Sequence, residues 1–264
     1  MNGVIRTDKW LDEGFRDPVE ICRRFMDSFS EENPGKLYTY LTGFGMYKPN
    51  RQSFETFEQL KKRGIWEKTE KIFQKYKKKW NGPDIPIYIF PIESQSFFFS
   101  RPGERKSGVS FKDQLFLFIT TFEDEMELEA LFVHEYHHVC RMNKQKESLL
   151  EFTLLDSLVL EGLAEHAVET CCGKQYKAKW CSYYSRKEIQ HFWQRFLEKE
   201  QQITKKNKKH DEILYGNKGY PKMVGYAAGY EMVSIFKEKR DFTIKESFVL
   251  PSKTFIIDMN KNER

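Results

Sequence analysis

The chain has 264 residues, of which 39% are hydrophobic and 16% aromatic, so it has enough apolar surface for a packed core without disulfides. Charged residues make up 31%, and the net charge of +5 comes from short lysine runs, which are typical of solvated faces and loops. No basic stripe with interleaved aromatic residues is found, so we expect no nucleic-acid partner. No segment approaches the ~20 apolar residues of a membrane span, so we expect no membrane partner either.

The cysteines and the N-terminus indicate a compartment. The five cysteines are odd in number and no two have CxxC spacing, which argues against a disulfide framework and against a zinc ribbon. The N-terminal stretch MNGVIRTDKWLDEGF lacks the apolar core of a signal peptide. We therefore expect a cytoplasmic protein whose thiols are reduced.

Residues 1–80 are expected to form a mainly helical N-terminal region. The stretch Pro18–Ser30 has apolar residues at helical spacing and a proline suited to the first turn. A loop is expected at Glu31–Lys36, which contains the turn residues Asn-Pro-Gly. Aromatic residues at three- and four-residue steps predict one or two amphipathic helices over Gln52–Trp80.

The composition changes after the breaker Asn81–Asp84, and β-branched and aromatic residues follow. Strands are predicted at Ile85–Phe90, Phe97–Ser100 and Val109–Thr121. Because their connections are short, antiparallel pairing is favoured.

Helical periodicity then returns for the rest of the chain. Helices are predicted at Glu123–Asn143, Ser148–Cys172, about Tyr183–Gln202 and Pro221–Lys239, with a basic loop at 205–210 and an extended tail from Asp241. The expected fold class is α+β: mainly helical, with a small antiparallel or mixed sheet that precedes the helix carrying HEYHH, and a helical C-terminal half. We expect two regions, residues 1–80 and residues 81–264, with strands at about 85–121 and active-site helices at about 123–172.

The run HEYHH in the first of these helices has the spacing of a metal site. His134 and His138 are four residues apart, so they lie on one helix face and can bind one Zn²⁺. Glu135 follows the first of them, in the position where a carboxylate takes a proton from a metal-activated water. We therefore expect one zinc ion on this helix, with Glu135 as the general base.

The next helix offers a third ligand. Glu161 and Glu165 lie one turn apart in a run that is otherwise largely apolar, where acids are costly unless they bind a cation or accept hydrogen bonds. Glu161 is expected to complete a His₂Glu site with an open fourth position. Glu165 is expected to accept a proton from a ligand imidazole, that of His134. Gly162 is expected to let the two helices approach closely beside the metal.

The segment YPKMVGYAAGYEMV carries the candidates for stabilising the transition state. Gly225 and Gly229 share one helix face, which allows close helix contact. Tyr226 and Tyr230 share the adjoining face, and a tyrosine hydroxyl can donate to the oxyanion that forms on an attacked carbonyl. The alternative for both tyrosines is core packing with satisfied hydroxyls. The remaining histidines, His137 and His166 among them, are expected to be structural.

HEYHH followed by LEGLAEH resembles the gluzincin branch of zinc metallopeptidases, which has a thermolysin-like architecture. The longer pattern from Ile85 to Val233 is similar to an uncharacterised bacterial family of predicted zinc-dependent proteases. The resemblance implies that His134, His138 and Glu161 bind the metal, that Glu135 is the general base and that Glu165 supports a ligand. It also implies that the strand Val109–Thr121 pairs with an extended peptide. The chain departs from thermolysin in its C-terminal half, where no counterpart of the substrate-orienting His and Arg is found.

The function expected from these features is hydrolysis of peptide bonds by a zinc-dependent peptidase whose substrate is a peptide or protein. Two alternatives keep the same ligands. One is a zinc hydrolase that acts on a non-peptide amide or ester in a narrow pocket. The other is a catalytically idle zinc-binding protein, and a fourth protein ligand on the metal would favour it. The intact Glu135 argues against the idle protein, because a structural site has no use for a base.

Overall fold

The structure is a computed structural model and describes residues 3–29, 31–93, 106–145, 151–256 and 259. The chain groups into two compact units, Met1–Glu135 and Tyr136–Arg264, and the division falls inside one continuous helix. The predicted strand Phe97–Ser100 lies outside the described residues.

Helices make up most of the first unit between its N-terminal strand and the other strands of its sheet. They are α1 (Thr7–Gly14), α2 (Pro18–Arg23), α3 (Pro34–Gly43), α4 (Arg51–Lys62) and α5 (Ile65–Trp80). One or two amphipathic helices were predicted over Gln52–Trp80, and the structure has two, α4 and α5. A capping box between Asn50 and Ser53 begins α4, because each side chain binds the other residue's backbone N–H.

Two predictions for this region are wrong in detail. Helix α2 ends at Arg23 and gives way to a 3₁₀ turn at Met26–Ser28, so the helix is shorter than Pro18–Ser30. The expected loop at Glu31–Lys36 contains the start of α3 instead. The Asn33 side chain accepts from the backbone N–H groups of Gly35 and Lys36, and Pro34 occupies the first turn, where its missing N–H costs nothing.

The described residues form one mixed sheet with the order β1-β2-β4-β3. Its strands are β1 (Gly3–Val4), β2 (Pro86–Pro91), β3 (Lys106–Ser110) and β4 (Leu115–Ile119). Strands β1 and β4 both pair parallel with β2, and only β3 and β4 are antiparallel. The preference for antiparallel pairing is therefore confirmed for one pair only. The connection from β1 to β2 is not short, since it contains five helices, and it allows the two strands to pair in parallel.

The predicted strand Val109–Thr121 is in fact a hairpin. Strands β3 and β4 are joined by a tight turn in which the Phe111 N–H donates to the Gln114 carbonyl at 2.9 Å. Strand β4, LFLFI, is buried along its whole length, and the Phe116 ring stacks on the Tyr88 ring of β2 with centroids 4.7 Å apart. This layer of aromatic residues places the sheet in the core of the unit.

The second unit is helical in its described part. Helix α6 (Met126–Lys144) crosses from the first unit, and it is followed by α7 (Leu154–Cys172), α8 (Arg186–Phe192), a π-helical turn (Trp193–Leu197), α9 (Glu198–Glu200), α10 (Lys208–Tyr215), α11 (Val224–Lys239) and α12 (Ile244–Ser247). The order of a small mixed sheet followed by a helical C-terminal half confirms the α+β prediction.

Two expectations about the second unit are wrong. The basic loop at 205–210 contains the start of α10, whose Ile213 and Leu214 are buried against the helical core. The tail after Asp241 is not extended: it forms α12 and a 3₁₀ turn at Ser252–Ile256. Both segments are stabilised by the burial of a few apolar residues that follow a polar run. The local periodicity of the sequence does not reveal this burial.

Candidate metal centre

The polar residues of the run HEYHH in helix α6 are largely buried. Glu135 is 7% exposed and His138 6%, and the apolar neighbours Val133 and Val139 are fully buried. His134 is half-buried one turn before His138. Because the helix is continuous through HEYHH, the two imidazoles lie on one face, as their spacing predicts.

Helix α7 brings a carboxylate to the same place. The capping box of Thr153 and Asp156 sets the start of α7, and two turns later Glu161 lies with Oε2 3.5 Å from His138 Nε2. Ligand atoms of His134, His138 and Glu161 all lie within 4.8 Å of one another. The structure therefore brings together the three residues that the sequence predicts as ligands.

This donor set fits zinc. Two ligand atoms at about 2.0–2.1 Å from a tetrahedral Zn²⁺ are about 3.4 Å apart, close to the 3.5 Å between His138 and Glu161. Two imidazoles with one carboxylate are the donors of a catalytic zinc site. Across the described ranges, the group consists of three residues with ligand atoms.

The carboxylate of Glu135 contacts the hairpin strand of its own unit. Its Oε2 lies 2.5 Å from the Ser110 hydroxyl, and the same hydroxyl lies 2.9 Å from the Glu135 backbone carbonyl. Ser110 belongs to no motif in the sequence. The only local signal was the alternation of small residues in KSGVS, which does not distinguish a contact with α6 from an ordinary exposed strand.

Glu165, one turn after Glu161, is 4% exposed and binds the segment that follows α7. Its Oε2 accepts the backbone N–H of Ala178 at 2.7 Å and the thiol of Cys181 at 3.8 Å. Burial and the adjacent carboxylate raise the pKa of the Cys181 thiol, so it stays protonated at neutral pH. The predicted contact of Glu165 with the His134 imidazole remains a prediction.

The two candidate tyrosines lie in different surroundings on α11. The Tyr230 hydroxyl donates to Glu169 at 2.8 Å and accepts from the Lys177 ammonium at 2.7 Å. Burial and the Glu169 carboxylate raise the pKa of Tyr230. The Tyr226 ring packs edge-on against Trp180, with centroids 5.1 Å apart. Tyr230 therefore has the satisfied hydroxyl of the structural alternative, whereas Tyr226 lies among aromatic rings.

Gly162 has a different neighbour from the one expected. A Cβ at Gly162 would lie 2.1 Å from the backbone carbonyl oxygen of Gly229, and a Cβ at Gly229 would lie 1.8 Å from that of Leu158. The glycines therefore allow α7 and α11 to pack backbone to backbone. The expectation that Gly162 serves a close approach of α7 to α6 is wrong, whereas the expected close contact through Gly229 is confirmed.

A second polar row on α6, which continues to the residue just after the helix, is not evident from the sequence. His137, Arg141 and Gln145 follow one another at four-residue steps and all bind the C-terminal segment. His137 Nε2 contacts the Ser247 hydroxyl at 2.9 Å, Arg141 donates to the Ser247 carbonyl, and Gln145 donates to the Phe248 carbonyl at 2.8 Å. The structural role expected for His137 is consistent with these contacts.

Ser157, His210 and Asp211 have the hydrogen-bond order of a serine-hydrolase triad. His210 contacts the Ser157 hydroxyl through Nε2 at 3.0 Å and Asp211 through Nδ1 at 2.7 Å. Ser157 is only 2% exposed and His210 is fully buried, while the Asp211 carboxylate is 60% exposed. A nucleophile without access to substrate does not catalyse, so these contacts serve to dock α10 on α7.

Among the described residues, no helix combines the length with the apolar composition that crossing a bilayer requires.

Comparison with known proteins places the chain in a family. The family model described as "Predicted Zn-dependent protease (DUF2268)" matches residues 65–257, a longer range than the resemblance seen from Ile85 to Val233. The curated "Uncharacterized protein YjaZ" of Bacillus subtilis (strain 168) is 33% identical over 218 residues, which cover 82% of this chain and 83% of the relative. No solved structure matches the chain significantly. The chain therefore belongs to the family of predicted Zn-dependent proteases.

Proposed function

We propose that the protein is a zinc peptidase of the gluzincin type, which hydrolyses peptide bonds with Glu135 as the general base. The observation that carries the proposal is the group of His134, His138 and Glu161, whose ligand atoms lie within 4.8 Å of one another next to Glu135. The family description supports zinc and proteolysis. A downstream glutamate as third ligand is the feature that favours the gluzincin type.

His134, His138 and Glu161 would hold the metal in this mechanism. A zinc ion bound there would supply Lewis-acid chemistry that polarises the substrate carbonyl and lowers the pKa of the attacking water. Glu135 takes a proton from that water as the new C–O bond forms, and then delivers it to the amide nitrogen as the C–N bond breaks. No covalent enzyme intermediate is needed.

The surrounding residues have supporting roles. Glu165 orients a ligand imidazole, that of His134, while it also holds Ala178 through the backbone N–H. Tyr226 is a candidate to donate to the oxyanion, whereas the Tyr230 hydroxyl donates to Glu169.

Two broader features belong to the same proposal. The five cysteines, which all lie in the described part of the chain, are thiols and not disulfides, which favours a cytoplasmic location. Residues 81–264 form the peptidase domain, and residues 1–80 form an N-terminal region attached to it. A catalytically idle zinc protein is disfavoured, because the ligand group contains three protein donors across the described ranges.

The test compares wild type with Glu135→Gln, by metal analysis and by cleavage of a diverse peptide library. We expect about one zinc in each protein and a fall in cleavage rate of at least ~10²-fold in the variant, the lower end of what general acid–base catalysis contributes. Glu58→Gln, an exposed exchange on α4, is the matched control.

Each other result has a definite meaning. Cleavage that survives in Glu135→Gln contradicts the role of the base. Zinc bound without any peptide cleavage, together with hydrolysis of small esters or amides, points to a non-peptide hydrolase. Unchanged zinc content in Glu161→Gln moves the third ligand elsewhere, with Glu165 as the first candidate.

A further inference from the structure

One face of β3 runs along α6. Lys106 donates to the Glu127 carboxylate and to its backbone carbonyl, the latter at 3.2 Å, and Ser110 contacts Glu135. The four residue steps from Lys106 to Ser110 span about 13 Å in a strand, and the eight steps from Glu127 to Glu135 span about 12 Å in a helix. Because these lengths match, the strand and the helix stay in register over both contacts.

The second of these contacts involves the proposed base itself. The Ser110 hydroxyl has two acceptors on Glu135, the carboxylate Oε2 at 2.5 Å and the backbone carbonyl at 2.9 Å. Glu135 is 7% exposed, so water competes little for its carboxylate. A hydroxyl that is held at both acceptors restricts the rotation of the glutamate side chain.

The absence of a side chain at Gly108 provides the space in which the Glu135 side chain lies. A Cβ at Gly108 would lie 2.5 Å from Glu135 Cγ, 2.6 Å from Cδ and 2.7 Å from Oε1. Real Cβ atoms do not approach heavy atoms so closely, and any side chain at 108 would displace the carboxylate. Gly108 and Ser110 lie on the same face of β3, since residues two apart in a strand point the same way.

We propose that Ser110 is a positioning residue for the base: it binds Oε2 of Glu135 and leaves Oε1, which lies over Gly108, as the oxygen that carries the proton. The inference rests on the proposed function, because it assigns Glu135 its task. Strand β3 thereby sets the orientation of the base, in addition to pairing with β4. The competing explanation is that Ser110 only packs the strand on the helix.

The two explanations differ in what Ser110→Ala changes. A positioning role predicts a fall in kcat of about 10- to 100-fold at unchanged KM and unchanged zinc content, since a misplaced group about 1 Å from its working position costs up to ~10²-fold. Ser110→Thr keeps the hydroxyl and is expected to restore most of kcat. Ser107→Ala, on the opposite face of β3, is the matched control. Gly108→Ala is expected to lower kcat in the same way.

A double-mutant cycle provides a readout independent of activity. Ser110→Ala is introduced into the wild-type and the Glu135→Ala backgrounds, and urea denaturation is followed in the presence of a chelator. We expect Ser110→Ala to shift the midpoint in the Glu135 background, and to shift it less when the carboxylate is missing. Equal shifts in both backgrounds would overturn the contact between the two side chains.

The outcomes separate this inference from the proposed function. Suppose that the wild type cleaves peptides and that Ser110→Ala is folded and keeps full kcat. This result contradicts the positioning role but not the proposed function. A fall in kcat that Ser110→Thr does not restore also contradicts it. A wild-type protein that cleaves nothing contradicts the proposed function and this inference together, while the denaturation cycle still reports on the contact. Should Gly108→Ala fail to fold, Ser110→Ala and Ser110→Thr decide the question.

Discussion

Tyr226 and Tyr230 have different surroundings, although they lie one turn apart on α11. Tyr230 is held between Glu169 and Lys177, so removing its hydroxyl leaves a half-buried acid with fewer donors. Tyr226 lies between the rings of Trp180 and Tyr215. The two residues therefore contribute to different properties of the protein.

We expect Tyr226→Phe to lower kcat by about 10- to 1,000-fold, as the loss of an oxyanion donor does. We expect Tyr230→Phe to lower the free energy of unfolding by about 1–2 kcal/mol, because hydrogen bonds to a charged group are lost. Steady-state kinetics and urea denaturation of both variants measure this. The reverse result, with kcat lost only in Tyr230→Phe, would exchange the two roles.

His166 is a buried histidine that titrates far from its ordinary range. It is 8% exposed, its Nε2 contacts the Ser234 hydroxyl at 3.1 Å, and its ring stacks on Tyr230 at 4.4 Å. Burial, followed by the charge of Lys237, lowers the pKa of His166 to about 4. The unfolded chain, with a pKa of about 6.5, binds the proton first as the pH falls.

The stabilising effect of His166 is therefore fully present above pH ~6.5 and is lost as the pH falls toward 4. Between pH 7.5 and pH 5 the loss amounts to about 2 kcal/mol of unfolding free energy. We expect His166→Gln to show a smaller fall over this interval, measured by urea denaturation in the presence of a chelator. The exposed His191→Gln is the control, and an equal pH dependence in wild type and His166→Gln would exclude this origin.

At the scale of elements, α7 is the central helix of the second unit. One of its faces carries Glu161, Glu165 and Glu169 at four-residue steps, and another packs on α11 through Gly162. Glu165 binds Ala178, and Glu169 binds Tyr230. The row of acids on one helix is tolerated because each carboxylate has a partner or belongs to the ligand group.

The contact between α7 and α11 tolerates no side chain at its closest point. We expect Gly162→Ala and Gly229→Ala each to lower the free energy of unfolding by about 3 kcal/mol or more, at the upper end of overpacking costs, because the added Cβ meets backbone atoms that cannot rotate away. Gly43→Ala on α3, where a Cβ meets nothing within 4 Å, is the control and should be neutral or slightly stabilising. Denaturation midpoints within error of wild type for all three would contradict the close approach.

The C-terminal segment is tied to the metal-bearing helix by polar contacts. His137 and Arg141 on α6 bind Ser247, and Arg141 also binds the Ser252 hydroxyl at 3.2 Å. Arg141 is 2% exposed, and these oxygens accept hydrogen bonds from its buried guanidinium. Helix α6 thus uses adjoining faces for two purposes, the ligand pair and the anchor of the C-terminal segment.

At the scale of the whole molecule, binding of a metal that requires the folded ligand group must stabilise the fold. At a free zinc concentration 100 times the dissociation constant, linkage gives about 2.7 kcal/mol. We expect the melting temperature to rise by roughly 5–10 °C when chelated protein is supplied with zinc, and this rise to be largely lost in Glu161→Gln. Magnesium, which prefers oxygen ligands, is the control ion. A melting temperature that zinc does not change would count against the site.

The sequence by itself determined the features that depend on local spacing. The spacing of four positions from His134 to His138 places both on one face of any helix, and acids one turn apart in an apolar run require a cation or donors, which singled out Glu161 and Glu165. Periodicity also located the helices around them and the α+β order, because the burial of one helix face repeats in the sequence every three to four residues.

The tertiary structure alone decided which elements meet. The parallel pairing of β1 with β2, the neighbour of Gly162, and the contact of Ser110 with Glu135 join residues that are 25 to 83 positions apart, counted from their register and contact partners. Helix α10 and the helical tail were missed for the same reason, since they are stabilised by packing on distant side chains. Such contacts depend on how the faces of distant helices and strands fit together in space. The spacing of residues in a single sequence does not reveal this fit.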